Sequence, residues 1–323
     1  MEKKFSIIVP AYNAEEYLER CIASMANQNF PCDKYEVIVI NDGSTDGTLD
    51  LLNNLCRKYS FLRYVTTVNG GLSRARNRGI KESVGEYLLF VDSDDSIRSN
   101  LLAQIYDELI KDDLDMMLMD YLYLDSNSNS LKKPLNINNH ISQPVDGKEF
   151  LLKCKYYPMV WAYAYRRSFL LENKLEMIPI WHEDEEFTPR AIYFAKRIKY
   201  LPLIFYNYFR NKSSFMMKYN EDSYFDMIRG MESLEGFRKD YVLEADMNLY
   251  FKDLIARNLL KSFKRSIHWA APVEIQRRII CEMKKKGFIP LPREKKGIYI
   301  LLYKYASILF IYYYRLKLKR YAV

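Results

Sequence analysis

Hydrophobic and polar residues in the first third of the chain alternate between two periodicities. Four short apolar runs, typical of buried strands, are each followed by a segment in which apolar residues recur at helical spacing. The runs are FSIIVPAY (5–12), YEVIVI (35–40), LRYVTTV (62–68) and EYLLFVD (86–92). This alternation predicts an α/β fold, Rossmann-like, in which a mostly parallel sheet has helices on both faces. Ligands of such sheets bind at the carboxyl ends of the strands.

The boundaries of two of the predicted helices can be read from polar residues. Asn13, with Glu16 three residues later, is typical of an N-cap with a capping-box-like start, so the first helix is expected to follow directly. The second helix is expected from about Thr48 to Tyr59.

Polar motifs stand at three of the predicted strand ends. They are VPAYN (9–13), NDGSTDGT (41–48) and FVDSDD (90–95). Asp42 could accept hydrogen bonds from a neutral donor such as a pyrimidine N–H, or could belong to a turn that caps the next helix. The three carboxylates of FVDSDD repel one another, and a divalent cation bridging a diphosphate would remove that cost. A solvated acidic turn is the alternative.

Together with NGGLSRARNRGI (69–80), these motifs resemble the nucleotide-sugar-binding half of family 2 glycosyltransferases with the GT-A fold. The resemblance covers about the first hundred residues. It implies that Asp42 reads the base, and that Asp92 and Asp94 form a D-x-D pair that addresses the ribose and a diphosphate-bound Mn²⁺ or Mg²⁺. The nucleotide-sugar-binding residues that it implies are Pro10, Ala11, Tyr12, Asn13, Asp42, Asn69, Arg76, Asp92, Ser93 and Arg210.

A second acidic block, WHEDEEFTPRAIYFAKRI (181–198), lies further along the chain. Acidic residues in the first turn of a helix complement its macrodipole, which is one explanation. The family resemblance implies another, with Asp184 as the catalytic base and Glu183 as its acidic neighbour. A base suits inverting transfer, in which an acceptor hydroxyl displaces the nucleoside diphosphate in one step. His182 is a candidate for contact with the acceptor or the metal, and a packed or solvated histidine is the alternative.

Two further segments have looser similarity to the family. FYNYFRNKSSFMM (205–217) resembles a loop that closes over the diphosphate, with Arg210 and Lys212 near phosphate oxygens. VWAYAYRRSFL (160–170) resembles a strand on the acceptor side, where Trp161 and Tyr163 could stack on a sugar ring or could belong to the core.

The chain divides into three predicted parts. Residues 1–220 form the GT-A catalytic domain, with the nucleotide-sugar half in 1–100 and the acceptor half in 101–220. Residues 221–290 form a helical C-terminal region, and residues 291–323 form a basic, aromatic, amphipathic tail. This tail carries eight lysines and arginines and one glutamate, so nearly all of the formal net charge of +8 lies there. It is expected to bind an anionic membrane surface. Packing on the protein is the alternative.

Charge and cysteine usage restrict the class of protein and its location. The basic residues are not spread along a groove with interleaved aromatics, so a nucleic-acid partner is not expected. Five scattered cysteines form no C-x-x-C pair, and the N-terminus does not resemble a signal peptide. The expected location is the cytoplasm, peripheral on the inner face of the cell membrane, and the oligomeric state is left open.

The sequence therefore predicts an inverting, metal-dependent glycosyltransferase. It would move a sugar from a nucleotide-sugar, with UDP favoured over GDP or dTDP, to a hydroxyl of a glycan or lipid-linked glycan in surface polysaccharide synthesis. The alternatives are a sugar-phosphate nucleotidyltransferase and a catalytically inactive glycan-binding or scaffolding homologue.

Overall fold

The computed structural model describes residues 2–125, 130–132, 143–210, 220–269 and 271–289. The chain divides into two compact units, one of residues 1–179 and 187–214, the other of residues 180–186 and 215–323. Within the described residues, no helix is both long enough and apolar enough to span a bilayer.

The first unit is built on a mixed sheet. The strands are β1 (Phe5–Ala11), β2 (Tyr35–Asn41), β3 (Leu62–Thr66), β4 (Tyr87–Phe90), β5 (Ser96–Ile97), β6 (Met116–Leu124), β7 (Ser130–Lys132), β8 (Tyr163–Arg166) and β9 (Ile198–Phe209). The helices are α1 (Leu18–Ala26), α2 (Thr48–Lys58), α3 (Leu72–Glu82), α4 (Leu102–Lys111), α5 (Gly147–Lys153) and α6 (Arg167–Glu172). Helix α7 (Glu183–Phe194) begins in the second unit and ends in the first. The predicted fourfold alternation of strand and helix is confirmed.

The order of the strands is β3-β2-β1-β4-β8-β6-β9-β5, with β7 paired to β6. The first four strands pair in parallel, as the sequence predicts. Strand β8 lies between β4 and β6 and runs antiparallel to both, so the sheet as a whole is mixed rather than mostly parallel. From β1 the chain adds β2 and β3 on one side of the sheet, and then β4 on the other side of β1. Open sheets of this kind bind ligands at the point where the strand order reverses in this way.

The two strands β1 and β2 lie in the core of the sheet. All residues of β1 and β2 are buried, so both strands are near-continuous apolar runs, typical of strands covered on both faces. Helix α3 packs directly on β1 through Gly79. A methyl group added at Gly79 would lie 2.2 Å from Ile8 Cγ2, so a larger residue there would push the helix off the sheet.

The second unit is helical in its described part, which confirms the predicted helical C-terminal region. Its helices are α8 (Asp222–Tyr241), α9 (Ala245–His268) and α10 (Val273–Lys285). Helices α8 and α9 form a pair in which the Phe237 and Phe251 rings lie 5.4 Å apart. Helix α10 lies along α8 and is joined to it by ion pairs from Arg278 to Glu221 and from Lys286 to Glu232, both at 2.7 Å. The predicted tail, 291–323, lies outside the described residues.

Candidate active site

The loops after β1 and β2 are joined by hydrogen bonds. Asn13 has a positive φ of 49°. Its backbone N–H donates to Ser44 Oγ at 3.0 Å, and its side-chain oxygen accepts from the Thr45 N–H at 2.8 Å. Asn13 is therefore not the N-cap of the first helix, and that prediction is wrong. Helix α1 begins at Leu18, behind Tyr17, which makes no side-chain cap.

The other predicted residues of the VPAYN motif lie at the same strand end. Pro10 and Ala11 are buried in β1, opposite Ile40 and Asn41 of β2. Tyr12 is 53% exposed. Of these side chains, Tyr12 offers an accessible aromatic face at the carboxyl end of the sheet.

Asp42 is buried and binds the loop that precedes α3. Its Oδ1 accepts from the Gly70 N–H at 2.9 Å and from the Thr67 hydroxyl at 3.2 Å, and its Oδ2 accepts from the Gly71 N–H at 2.7 Å. Backbone amides at the start of a helix favour an anionic group. In the structure the anionic group is the Asp42 carboxylate of the chain itself.

The same loop packs closely against the turn after β2. Gly43 has a φ of +72°, and a Cβ added there would lie 2.7 Å from the Asn69 nitrogen. Only glycine fits such a position without strain. Asn69 is held in place this way, with its side chain exposed.

Helix α3 presents Arg76 to the first aspartate of the D-x-D pair. Arg76 Nη2 lies 2.6 Å from Asp92 Oδ1. The arginine side chain is only 3% exposed, whereas that of Asp92 is 25% exposed. Because one end of this ion pair is buried, loss of either partner would leave a poorly solvated charge.

Asp95, which the sequence analysis did not select, anchors the acidic segment to β9. Its Oδ2 accepts from the Tyr206 hydroxyl at 2.8 Å, and its Oδ1 accepts from the Phe209 N–H at 2.8 Å. The Tyr206 oxygen in turn accepts from the Asp92 N–H at 3.0 Å. Burial, together with the charges of Asp94 and Asp92, raises the pKa of Asp95 well above its usual range. The one sequence signal was that FVDSDD holds a carboxylate more than a D-x-D pair needs.

Arg20 is a second residue that the sequence analysis missed. From the exposed face of α1 its guanidinium donates to the Asp94 carbonyl oxygen, and it lies 3.8 Å from the centre of the Phe209 ring. The backbone at Asp94 is thus held from α1 while Asp95 is held from β9. The side chains of Ser93 and Asp94 are partly exposed between these attachments.

The described residues do not form a metal site on their own. Among them, no group of three or more His, Cys, Asp or Glu side chains is placed to hold a metal ion. Mg²⁺ is usually bound by one or two carboxylates together with substrate phosphates. The Asp92 and Asp94 pair fits that kind of site, and Asp92 Oδ1 is already engaged by Arg76.

Trp161, proposed above as an acceptor contact or a core residue, lies in the core. It is 5% exposed and stacks on Tyr206 with ring centres 4.2 Å apart and an angle of 9° between the planes. Tyr163 is fully buried and donates to the Tyr157 carbonyl at 2.7 Å. The structure therefore favours the core interpretation for both, because the faces that could stack on a sugar are covered.

The segment predicted as a closing loop is partly strand. Residues 205–209 belong to β9, which pairs with β6 up to Phe209. Arg210 follows directly, is exposed, and donates its N–H to the Leu124 carbonyl at 2.9 Å. Lys212 and the remainder of the predicted loop lie outside the described residues.

The acidic residues 183–186 of the second block form the first turn of α7 and belong to the second unit. Glu183 is 5% exposed, and Asp184 is half-buried in the first turn. Asp184 Oδ1 accepts from the Glu185 N–H at 2.9 Å, so this carboxylate complements the amino end of its own helix. The next two acids contact α8 and α9, with Glu185 2.6 Å from Lys261 Nζ and Glu186 accepting from the Ser233 hydroxyl at 2.8 Å.

His182 precedes α7 in a left-handed backbone conformation, with φ of 65°. Burial, and then the positive charge of Arg265, lowers the pKa of this imidazole to about 4. His182 is therefore neutral near pH 7. Non-glycine residues in this conformation carry strain and are concentrated at functional sites.

Comparison with known proteins identifies the family. Residues 6–172 match the model of "Glycosyl transferase family 2". The chain is 27% identical over 311 residues to the cholesterol galactosyltransferase of Borreliella burgdorferi. The aligned region covers 91% of this chain and 84% of that relative. It is 28% identical over 283 residues to the poly(ribitol-phosphate) beta-N-acetylglucosaminyltransferase TarS of Staphylococcus aureus, which covers 84% of this chain and 47% of TarS. The chain spans less than two thirds of the length of several other curated relatives that it matches.

Comparison with solved structures agrees with the family match. A crystal structure of S. aureus TarS in complex with UDP-GlcNAc superposes with a TM-score of 0.76, covers 98% of this chain and 92% of that chain, and is 22% identical. The family model covers more than half of the chain, and the fold is the GT-A fold of TarS. The chain belongs to glycosyl transferase family 2.

Proposed function

We propose that this protein is an inverting, metal-dependent transferase that moves a sugar from a UDP-sugar to a hydroxyl group of a glycan or lipid-linked glycan in surface polysaccharide synthesis. One observation carries the proposal. The three polar motifs at the ends of β1, β2 and β4 form a connected set, through Asn13 to Thr45, Asp42 to Gly71, and Arg76 to Asp92. Such a set of polar groups at the carboxyl ends of parallel strands suits a nucleotide.

The choice of UDP is supported by the relatives, since TarS has been crystallised with UDP and with UDP-GlcNAc. In this chain Asp42 is the proposed partner of the base, with Tyr12, Asn13 and Asn69 around it. Three hydrogen bonds from the chain already fix the Asp42 carboxylate. A nucleoside would therefore meet a preorganised acceptor rather than order one.

We propose Mn²⁺ or Mg²⁺ as the cofactor, held by Asp94 with Asp92 and by the donor diphosphate. When bound, the cation neutralises the charge that develops on the leaving nucleoside diphosphate. Arg76 pairs with Asp92, and Arg210 is a further proposed phosphate contact.

Asp184 is the proposed base. The acceptor oxygen forms a bond to the anomeric carbon, the bond from that carbon to the diphosphate oxygen breaks, and the acceptor proton passes to Asp184. This one-step displacement inverts the anomeric centre and needs no covalent intermediate. Glu183 is the proposed acidic neighbour, and neutral His182 is the proposed contact to the acceptor.

The proposed acceptor is supported by the names of relatives, and the proposed location by the tail. One relative is named for cholesterol and another for poly(ribitol phosphate). The basic and aromatic composition of residues 291–323 supports a peripheral position on the cytoplasmic face of the membrane. Equal recovery in the soluble fraction of the full chain and of a version that ends at Pro292 would count against that position.

A donor screen tests the proposed reaction. The full chain is incubated with UDP-, GDP- and dTDP-sugars, with Mn²⁺ or with EDTA, and the thermal shift and nucleotide release are measured. We expect one or a few UDP-sugars to raise the melting temperature and to release UDP, in Mn²⁺ only, because ligand binding stabilises the native state. A larger shift with a GDP- or dTDP-sugar would contradict the choice of nucleotide. Equal release in EDTA would contradict the metal.

A further inference from the structure

The second half of α9 exposes only basic side chains. Between residues 257 and 268 every exposed residue is basic, namely Arg257, Lys261, Lys264 and His268. Their spacing places them on one face of the helix. At about 1.5 Å per residue they extend over roughly 16 Å. We refer to these four residues as the α9 basic track.

The track belongs to a local concentration of positive charge. Residues 220–253 contain four lysines and arginines and nine acidic residues, whereas residues 254–289 contain nine and two. Two members of the track make ion pairs, Arg257 with Asp253 at 2.9 Å and Lys261 with Glu185 at 2.6 Å. The basic side chains of both pairs are largely exposed, so these contacts are weak and are readily exchanged for an anionic ligand.

The track lies beside the segment that carries the proposed base, in the same unit. Lys261 bonds to Glu185, the residue after Asp184. Arg265, one turn after Lys261, acts electrostatically on His182. The track therefore meets the first turn of α7 at Lys261.

We propose that the α9 basic track binds the phosphate groups of a polyanionic acceptor, a glycan or polyol chain joined by phosphodiesters, next to the hydroxyl that receives the sugar. The proposal rests on the proposed function, because it takes Asp184 as the base. Lysine and arginine side chains about one helical turn apart suit a chain of repeated phosphates, which they would bind with strong salt dependence.

The exposed face of α9 favours this ligand over a lipid surface. An interfacial helix buries an apolar face in the bilayer. The apolar residues of the second half of α9, such as Leu259 and Phe263, are instead buried in the protein, and the track has none. The track also has no aromatic side chain on which a nucleic-acid base could stack.

Direct binding to the full chain tests the proposal. The probes are a fluorescent synthetic glycerol-phosphate oligomer and a neutral maltooligosaccharide of matched length. The track variant carries Arg257→Gln, Lys261→Gln and Lys264→Gln. A matched control carries Arg277→Gln, Lys284→Gln and Lys285→Gln on exposed positions of α10, with the same loss of charge. Thermal unfolding close to that of the parent is required of both.

We expect the track variant to bind the phosphate oligomer about 10- to 100-fold more weakly and with a shallower salt dependence, by about one unit of slope per lost contact. The α10 control should stay within about threefold of the parent, and the neutral probe should bind weakly to all three proteins. UDP release from the donor without acceptor should be the same in the parent and the α10 control.

Parental affinity of the track variant for the oligomer would overturn the proposal, as would an equal loss in the α10 control. The proposal would also be overturned if the track variant alone no longer bound phosphatidylglycerol vesicles while its binding of the oligomer was unchanged, because the track would then be a lipid contact. Failure of the parent to release UDP from any donor would instead count against the proposed function, whatever the oligomer result.

Discussion

Two acidic segments of similar composition are supported in different ways. Residues 92–95 are held by side chains far away in sequence, since Asp95 contacts Tyr206, Asp92 contacts Arg76, and the Asp94 carbonyl contacts Arg20. Residues 183–186 form the first turn of a helix, where Asp184 bonds to the next residue and the later acids contact neighbouring helices. The first segment is held by contacts from β9, α1 and α3, and the second by its position at a helix terminus.

The way in which each segment is held suits the chemical role proposed for it. Carboxylates that bind a cation together with a diphosphate must keep their geometry although they repel one another. Hydrogen bonds from several elements hold them in that geometry. A base must instead keep an accessible oxygen and a pKa suited to accepting a proton. Asp184 is half-buried, and its Oδ1 accepts from the Glu185 N–H.

The largest expected effect is that of Asp184→Asn. Transfer should fall by roughly 10²- to 10⁴-fold, because general base catalysis contributes about that much, while donor binding measured by thermal shift stays near the parental value. Glu172→Gln, an exposed acid at the end of α6, serves as the control and should change the transfer rate by less than about threefold. Transfer by the Asn variant at the parental rate would show that Asp184 is not the base.

Asp94→Ala should affect the first segment in the opposite way, by weakening donor binding itself. In Mn²⁺ we expect the affinity for the UDP-sugar to fall about 10- to 100-fold, a loss at least as large as that usual for groups that support a metal. In EDTA the variant and the parent should bind equally weakly. Asp107→Ala, on the exposed face of α4, is the control. A metal-dependent gain in donor affinity that survives Asp94→Ala would refute this ligand.

Tyr206→Phe tests the long-range support of the first segment. It removes the donor to Asp95 and the acceptor for the Asp92 N–H, so the free energy of unfolding should fall by about 1–3 kcal/mol. Urea unfolding measures this. Tyr64→Phe removes an exposed hydroxyl that donates to Asn53, and should cost less than about 0.5 kcal/mol. Equal costs for the two variants would mean that the Tyr206 hydroxyl has no special role.

The smallest effect concerns pH and the second segment. The pKa of His182 is lowered to about 4, from 6.5, chiefly by burial and then by Arg265. Between these values the unfolded chain binds more protons than the folded chain, so stability from this group is present above about pH 6.5 and is lost as the pH falls toward 4. His182→Asn keeps a residue that tolerates positive φ, and should lose less stability between pH 7 and pH 5. If the melting temperatures of variant and parent fell equally between pH 7 and pH 5, His182 would not be the source of this loss of stability.

Much of the fold could be predicted because its signals are local. Buried strands such as YEVIVI are apolar throughout, and helices such as α2 begin close to the expected Thr48. The motifs at the strand ends were also visible, because glycines and acidic residues interrupt the apolar runs there. The N-cap prediction at Asn13 failed, because its side chain bonds to Thr45 of the next loop rather than to its own helix.

The contacts of the candidate site were harder to predict. Asp95 and Tyr206 are 111 residues apart, and Asp42 and Gly71 are 29 apart. Nothing in either local sequence marks these partners. Trp161 was equally ambiguous, since an aromatic residue at a strand end suits a sugar as well as a core until the position of Tyr206 is known.

The sequence by itself determined the alternation of strands and helices, the polar motifs at the strand ends and the family resemblance, because periodicity and turn residues act over a few positions. Only the tertiary structure decided that the Asp42 carboxylate binds the glycine loop, that Asp95 is tied to β9, and that the exposed residues in the second half of α9 are all basic. These features depend on which strands and helices become neighbours. That is settled by the packing of the whole chain rather than by any one segment.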